Sequence, residues 1–124
     1  MTSETPPSET PPSETPPTEI PAGEARRRLD AGEAVLVDVR EAEEWADGHA
    51  PGALHRPLSS LDPAEFAGRS VVTTCRGGGR GGRAAAALAE AGVEAASLAG
   101  GLRAWSEDGG ALVRDDGSPG ALDG

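Results

Sequence analysis

Between Ala34 and Leu98, short apolar runs rich in β-branched residues alternate with helix-favouring segments, and this alternation restricts the fold more than any other feature of the chain. Ala34–Val39 and Val71–Thr74 read as buried strands, Ala53–His55 as a brief one and Val93–Leu98 as the last. Pro21 suits the first turn of a helix that continues through Leu29 and ends at Ala31-Gly32. A helical turn follows at Arg40–Ala46, then a short helix at Leu61–Phe66 behind the Asp62-Pro63 start. An Ala-rich helix runs from Gly81 to Ala91 and stops at Gly92, and a last helical turn covers Leu102–Trp105. Such alternation calls for a parallel sheet covered by helices on both faces, an α/β fold. The only aromatic residues are Phe66, Trp45 and Trp105, so the core must be built from Ala, Val and Leu, with both tryptophans facing inward.

The ends read differently. Ser-Glu-Thr-Pro-Pro occurs at 3–7, 8–12 and 13–17, a period too short for a packed repeat. Paired prolines favour extended backbone, so residues 1–19 are expected to be a disordered, solvated spacer. Only composition speaks for a docking motif there. The folded domain is expected at 20–107, and 108–124, rich in Gly and Asp, as a flexible acidic tail. The formal net charge of −10 sits mostly in these ends, because twelve acids face ten arginines between 20 and 105. Neither nucleic acid nor an anionic membrane is therefore an expected partner. No apolar stretch is long enough to span a bilayer, and the start lacks the basic and apolar regions of a secretory signal. One cysteine excludes an internal disulfide and a cysteine-cluster metal site. The expected location is the cytoplasm, where a lone thiol stays reduced.

The informative segment is strand, cysteine, glycine-rich loop, helix. Cys75 stands at the C-terminal end of a strand, where ligands bind in open α/β sheets. Gly77, Gly78 and Gly79 have no side chains to obstruct their amides, and glycine reaches the positive φ values that turn successive N–H groups toward one point. The following helix start points the same way. A sulfur anion is stabilised by both effects, and Arg76, Arg80 and Arg83 add positive charge at the mouth. A lone cysteine after a strand is most often a small buried hydrophobe. Here strand end, glycine loop, helix start and arginines coincide, and together they point to a nucleophile in an anion cradle.

These residues resemble those of a known family. Val71-Val-Thr-Thr-Cys-Arg-Gly-Gly-Gly-Arg80 followed by Ala84–Leu88 and Gly92 is similar to the active-site loop and helix of rhodanese domains. Val37-Asp-Val-Arg-Glu41 with Glu44-Trp45, Gly48-His-Ala-Pro-Gly-Ala53, and Leu98-Ala-Gly-Gly-Leu102 with Trp105 resemble three further family elements, in order. The resemblance implies a rhodanese-like three-layer fold with about five parallel strands. It implies a sulfurtransferase with no cofactor and no metal, moving a sulfane sulfur through a Cys75 persulfide. Substrate binding falls on Arg76, Gly77, Gly78, Gly79, Arg80 and Gly81. The partners are a small anionic donor such as thiosulfate and a thiol or cyanide acceptor, with a protein donor or acceptor also admitted. One departure is Gly81, where family loops often carry Ser or Thr; hydroxyl donors are lost, but the backbone cradle is not.

Asp38, Arg40 and His49 are expected to support the site. Asp38 and Arg40 anchor the loop or form a structural charge pair, and His49 fixes its own loop by hydrogen bonding. His49 and His55 lack the partners of a zinc site. Glu43 and Glu44, adjacent on a helix, do not face one another and are expected to be solvated. Two other functions compete. Phosphatases and arsenate reductases of the related fold resemble Cys-x-x-x-x-x-Arg, whereas Cys75 to Arg80 is one residue shorter, with Gly81 at the longer position. A non-enzymatic sulfur-relay or protein-binding module is the other.

Overall fold

The computed structural model describes residues 18–122. The expectations for the Ser-Glu-Thr-Pro-Pro repeat lie outside the described residues. Five strands form one wholly parallel sheet: β1 (Thr18–Ile20), β2 (Val35–Asp38), β3 (Leu54–His55), β4 (Ser70–Thr74) and β5 (Glu94–Leu98), in the order β1-β5-β4-β2-β3. Four α-helices connect and cover them: α1 (Ala22–Asp30), α2 (Ala42–Asp47), α3 (Gly79–Glu90) and α4 (Gly101–Glu107). The α/β fold with a five-stranded parallel sheet is as the sequence pattern and the resemblance imply.

The strand pleat sorts the core into two layers. Leu36, Val72, Ala96 and Leu98 pack with Ala25 of α1 and Leu102 and Trp105 of α4. Val37 and Val71 face the other way, onto Ala84 and Leu88 of α3 and onto Phe66. β4 is the middle strand, and Cys75, the residue after it, packs in the α3-side layer.

Several local expectations differ. β1 was not foreseen; its three residues leave only Ile20 buried, too little periodicity to register as a strand. Pro21 caps α1 from extended backbone instead of joining it. Leu61–Phe66 contains a 3-10 turn at Pro63–Phe66, capped by the Asp62 carboxylate on Ala64 N–H at 3.0 Å, instead of an α-helix. α3 begins two residues early, inside the loop, because Gly78 takes left-handed backbone with φ +116° and turns the chain into the helix. Trp45 does not face the core. It is half-buried, stacked between His49 at 3.7 Å and His55 at 4.8 Å, since α2 buries none of its residues.

The segment expected to be a flexible tail lies instead against the domain. Val113 bridges His49 by two backbone hydrogen bonds of 2.8 and 2.9 Å, and Trp105 Nε1 donates to the Ala111 carbonyl at 2.9 Å. Gly48 and Gly120 touch backbone to backbone: a Cβ on Gly120 would stand 2.7 Å from the Gly48 Cα.

Candidate active site

Cys75 is 2% exposed and forms the floor of an open cavity of about 400 Å³. Its Sγ accepts the N–H of Gly78 at 3.1 Å and of Gly81 at 3.3 Å. The second of these has a structural logic. Gly78, the residue before α3, has no side chain to cap the helix. The cysteine sulfur takes that place, bonding the third amide of the first turn where a Ser or Asp side chain ordinarily would. Gly81 itself is wedged against the strand end, a Cβ there lying 3.2 Å from Thr74 Cα, and Thr73 Oγ1 donates to its carbonyl at 2.7 Å. The glycine at this departure from the family pattern thus brings the helix start close to the sulfur.

The carbonyls of the same loop are turned away. Leu102 N–H donates to Cys75 O at 2.8 Å and Arg103 N–H to Arg76 O at 3.0 Å. The start of α4 therefore holds the loop from outside. Gly101 allows this approach: it has φ +62°, and a Cβ on it would lie 2.5 Å from Cys75 O and 2.6 Å from Arg76 O.

Arg76, Arg80, Arg83 and Arg103 line the cavity, with Glu44 as its one acidic lining residue. Arg80 spends both terminal nitrogens on Glu44, at 2.7 and 2.9 Å. Glu44 is not solvated as expected: its Oε1 also accepts Glu41 N–H at 3.0 Å in a capping box. The Arg80 guanidinium, helped by the Glu41 amide and opposed by burial, lowers the Glu44 carboxyl to about 2. Arg83 and Arg103 have no ion-pair partner among the described residues. Arg103 went unnoticed in the sequence because it comes from another element; its position beside the Gly100-Gly101 turn was the available signal.

Asp38 and Arg40 are fully buried and do not line the cavity. Arg40 pairs with Asp38 through Nε at 2.9 Å and Nη2 at 2.8 Å, and Nη2 also donates to Gly48 O at 2.7 Å. His49 joins the same loop through Nδ1 and the Trp45 carbonyl at 2.9 Å. These three residues tie the end of β2 to α2 and its loop, the element that carries Glu44. Among the described residues, no group of three His, Cys, Asp or Glu is placed to hold a metal ion. No helix among them is long and apolar enough to cross a membrane.

The structure is thus a parallel α/β domain with a cysteine beyond its middle strand and loop and helix amides converging on its sulfur. The rhodanese-like domain profile matches residues 21–108, and the chain belongs to that family. It is 35% identical over 98 residues to a sulfurtransferase from Allochromatium vinosum, covering 75% of this chain and 91% of that one. It is 49% identical over 57 residues to the HTH-type transcriptional regulator Rv0324 of Mycobacterium tuberculosis, covering 44% of this chain. The chain spans only 25% of that regulator's length and 53% of a relative's from Synechocystis. Among solved structures, thiosulfate sulfurtransferase from Pseudomonas aeruginosa superposes with a TM-score of 0.72 at 28% identity, over 86% of this chain and 22% of that one.

Proposed function

We propose that this domain is a sulfurtransferase that carries a sulfane sulfur on Cys75. The Cys75 thiolate attacks the outer sulfur of thiosulfate and sulfite leaves; a thiol or cyanide then takes the sulfur from the persulfide and returns the thiolate. The observation that carries this reading is the convergence of the Gly78 and Gly81 amides on Cys75 Sγ. Donors aimed at a sulfur stabilise its anion and continue to do so when the outer sulfur bears the charge. The arginine rim supplies capture of an anionic donor.

The Arg80–Glu44 pair favours sulfur over phosphate. An oxyanion-cradling loop needs its closing arginine on the substrate, and here that guanidinium is spent on a carboxylate. A relay module would share the first half-reaction and differ only in handing the sulfur to a protein. The domain is proposed to work in the cytoplasm with Cys75 reduced. Intact mass after thiosulfate exposure should show one added sulfur, absent in Cys75→Ser. Thiosulfate:cyanide turnover retained by Cys75→Ser would overturn the assignment, since oxygen cannot take the place of the carrier sulfur.

A further inference from the structure

A groove crosses the sheet at the end opposite Cys75. It begins beside Thr18, in a depression of about 210 Å³ that Arg28 and Ser70 also line. It continues through one of about 200 Å³, lined by Ser70, Arg69, Ala34 and Val35. It ends in a cavity of about 580 Å³, where Arg69, Ala34 and Val35 recur beside Leu29, Leu54 and Trp105. The shared residues join the three depressions into one path from β1, past β5, β4 and β2, to β3.

The chemistry of the lining changes along this path. Leu29, Ala34, Leu54 and Trp105 bring apolar surface to the end cavity, and the Trp105 Nε1 is already bonded to the Ala111 carbonyl. Arg26 in the same cavity is held by Asp108. Arg69, midway, is exposed and makes no ion pair among the described residues; Glu65, which feels its charge, is bound by Arg56. Asp30 lines the end cavity, also without an ion pair among the described residues. The groove thus offers a slot with an indole, one uncommitted cation before it and one uncommitted carboxylate inside it. Proline-rich backbone docks in aromatic-lined grooves because its extended form is already set before binding.

A segment of matching chemistry joins the sheet at the mouth of the groove. Residues 1–17 carry Ser-Glu-Thr-Pro-Pro three times and meet β1 at Thr18. We propose that this segment lies in the groove of its own chain, with Glu14 facing Arg69 and Pro11-Pro12 in the end cavity against Trp105 and Leu54. Reach sets the register. Thr18 pairs with Ala96, two residues beyond the start of β5, so position 16 comes level with Ser70 and the end of the sheet. Strands lie about 4.8 Å apart, which puts β4 about 10 Å and β2 about 14 Å from β1. At about 3.1 Å per residue of proline-rich extended backbone, roughly three residues reach β4 and five reach β2. Counting back from position 16 brings Ser13-Glu14 beside Arg69 and Pro11-Pro12 to the cavity. The Ser and Thr hydroxyls of the repeat can donate to Asp30. A short tether holds such a segment at an effective concentration in the millimolar range, so modest contacts suffice. The groove is remote from Cys75, and the inference does not rest on the sulfur-transfer reading.

The test is NMR of the full chain with a spin label on Ser8→Cys, in a Cys75→Ser background so that one thiol is labelled. In the proposed register position 8 lies about 25 Å along the groove from position 16, past β3. The amides of Gly52, Leu54 and Gly110 should therefore be broadened more than that of Gly92, which lies near the tether just before β5. Broadening strongest at Gly92, or equal at all four, overturns docking. Arg69→Glu, an exposed change, should lower the docked fraction about two- to fivefold, the range of an exposed ion pair. Glu14→Arg in that background should restore it. Restoration by Glu4→Arg and not by Glu14→Arg overturns the register. Isotope-labelled chain without a spin label is also mixed with spin-labelled chain of natural isotopes. Broadening of the same amides in that mixture places a second copy's segment in the groove and overturns docking within one chain.

Discussion

Arg80 and Glu44 meet across 36 positions of sequence, and what they do for each other can be separated by pH. The guanidinium holds the Glu44 carboxyl at about 2 against a usual 4.5. A carboxyl depressed in the folded state contributes stability in full above its unfolded value, and loses it as pH falls from there toward the folded one. The melting-temperature difference between wild type and Glu44→Gln should therefore be widest above about pH 5 and shrink toward about pH 3. Arg80→Ala leaves a half-buried carboxylate without its partner, so it should cost about 1–3 kcal/mol and lower kcat together. Thermal melts and single-turnover sulfur transfer check both parts. Cys75, its glycines and its flanking arginines were legible in the sequence because they are contiguous and each chemical type announces itself. Glu44 was misread, because i,i+1 neighbours on a helix do look solvated until a distant arginine arrives.

Among the elements, α4 acts directly on the Cys75 loop. Its first amides hold the carbonyls of Cys75 and Arg76, an approach that glycine alone permits at 101. Gly101→Ala combines positive φ with a clash on two carbonyl oxygens. It should lower stability by about 2–4 kcal/mol and sulfur transfer by at least about tenfold. Denaturant unfolding and thiosulfate:cyanide assay test this together, and a variant of wild-type activity would show that the loop does not depend on α4. β1 makes the opposite point. Removing residues through Ile20 deletes the edge strand that pairs with β5, so it should melt lower than a chain beginning at Thr18. The long strands and α3 were readable from periodicity and glycine stops. β1, β3 and the 3-10 turns were not fully so, because two to four residues carry too little pattern to separate strand from turn.

At the scale of the whole molecule, the chain after α4 closes over its own front half. Val113 bridges His49, Ala111 accepts from Trp105, Asp115 accepts from Trp45 Nε1 at 3.2 Å, and Gly120 packs on Gly48. Composition suggested fraying because Gly and Asp are poor formers of regular structure. These contacts use backbone and isolated side chains, which leave no periodic trace in sequence. Ending the chain at Gly110 should uncover the Trp45–His49 stack and lower the melting temperature by about 5–10 °C, followed by tryptophan fluorescence. An unchanged melt would show that the closing segment adds nothing.

The pinning of the Cys75 loop by α4 also bears on the order in which the protein becomes competent. Strand, cysteine and glycine loop are contiguous, and as a peptide they contain every amide that the sulfur uses. Yet the Cys75 and Arg76 carbonyls find their backbone partners in residues 102 and 103, which follow α3 and β5 in the chain. During synthesis Cys75 is made well before the element that holds its loop in shape. The convergence of amides on the Cys75 sulfur therefore depends on an element that a growing chain adds later.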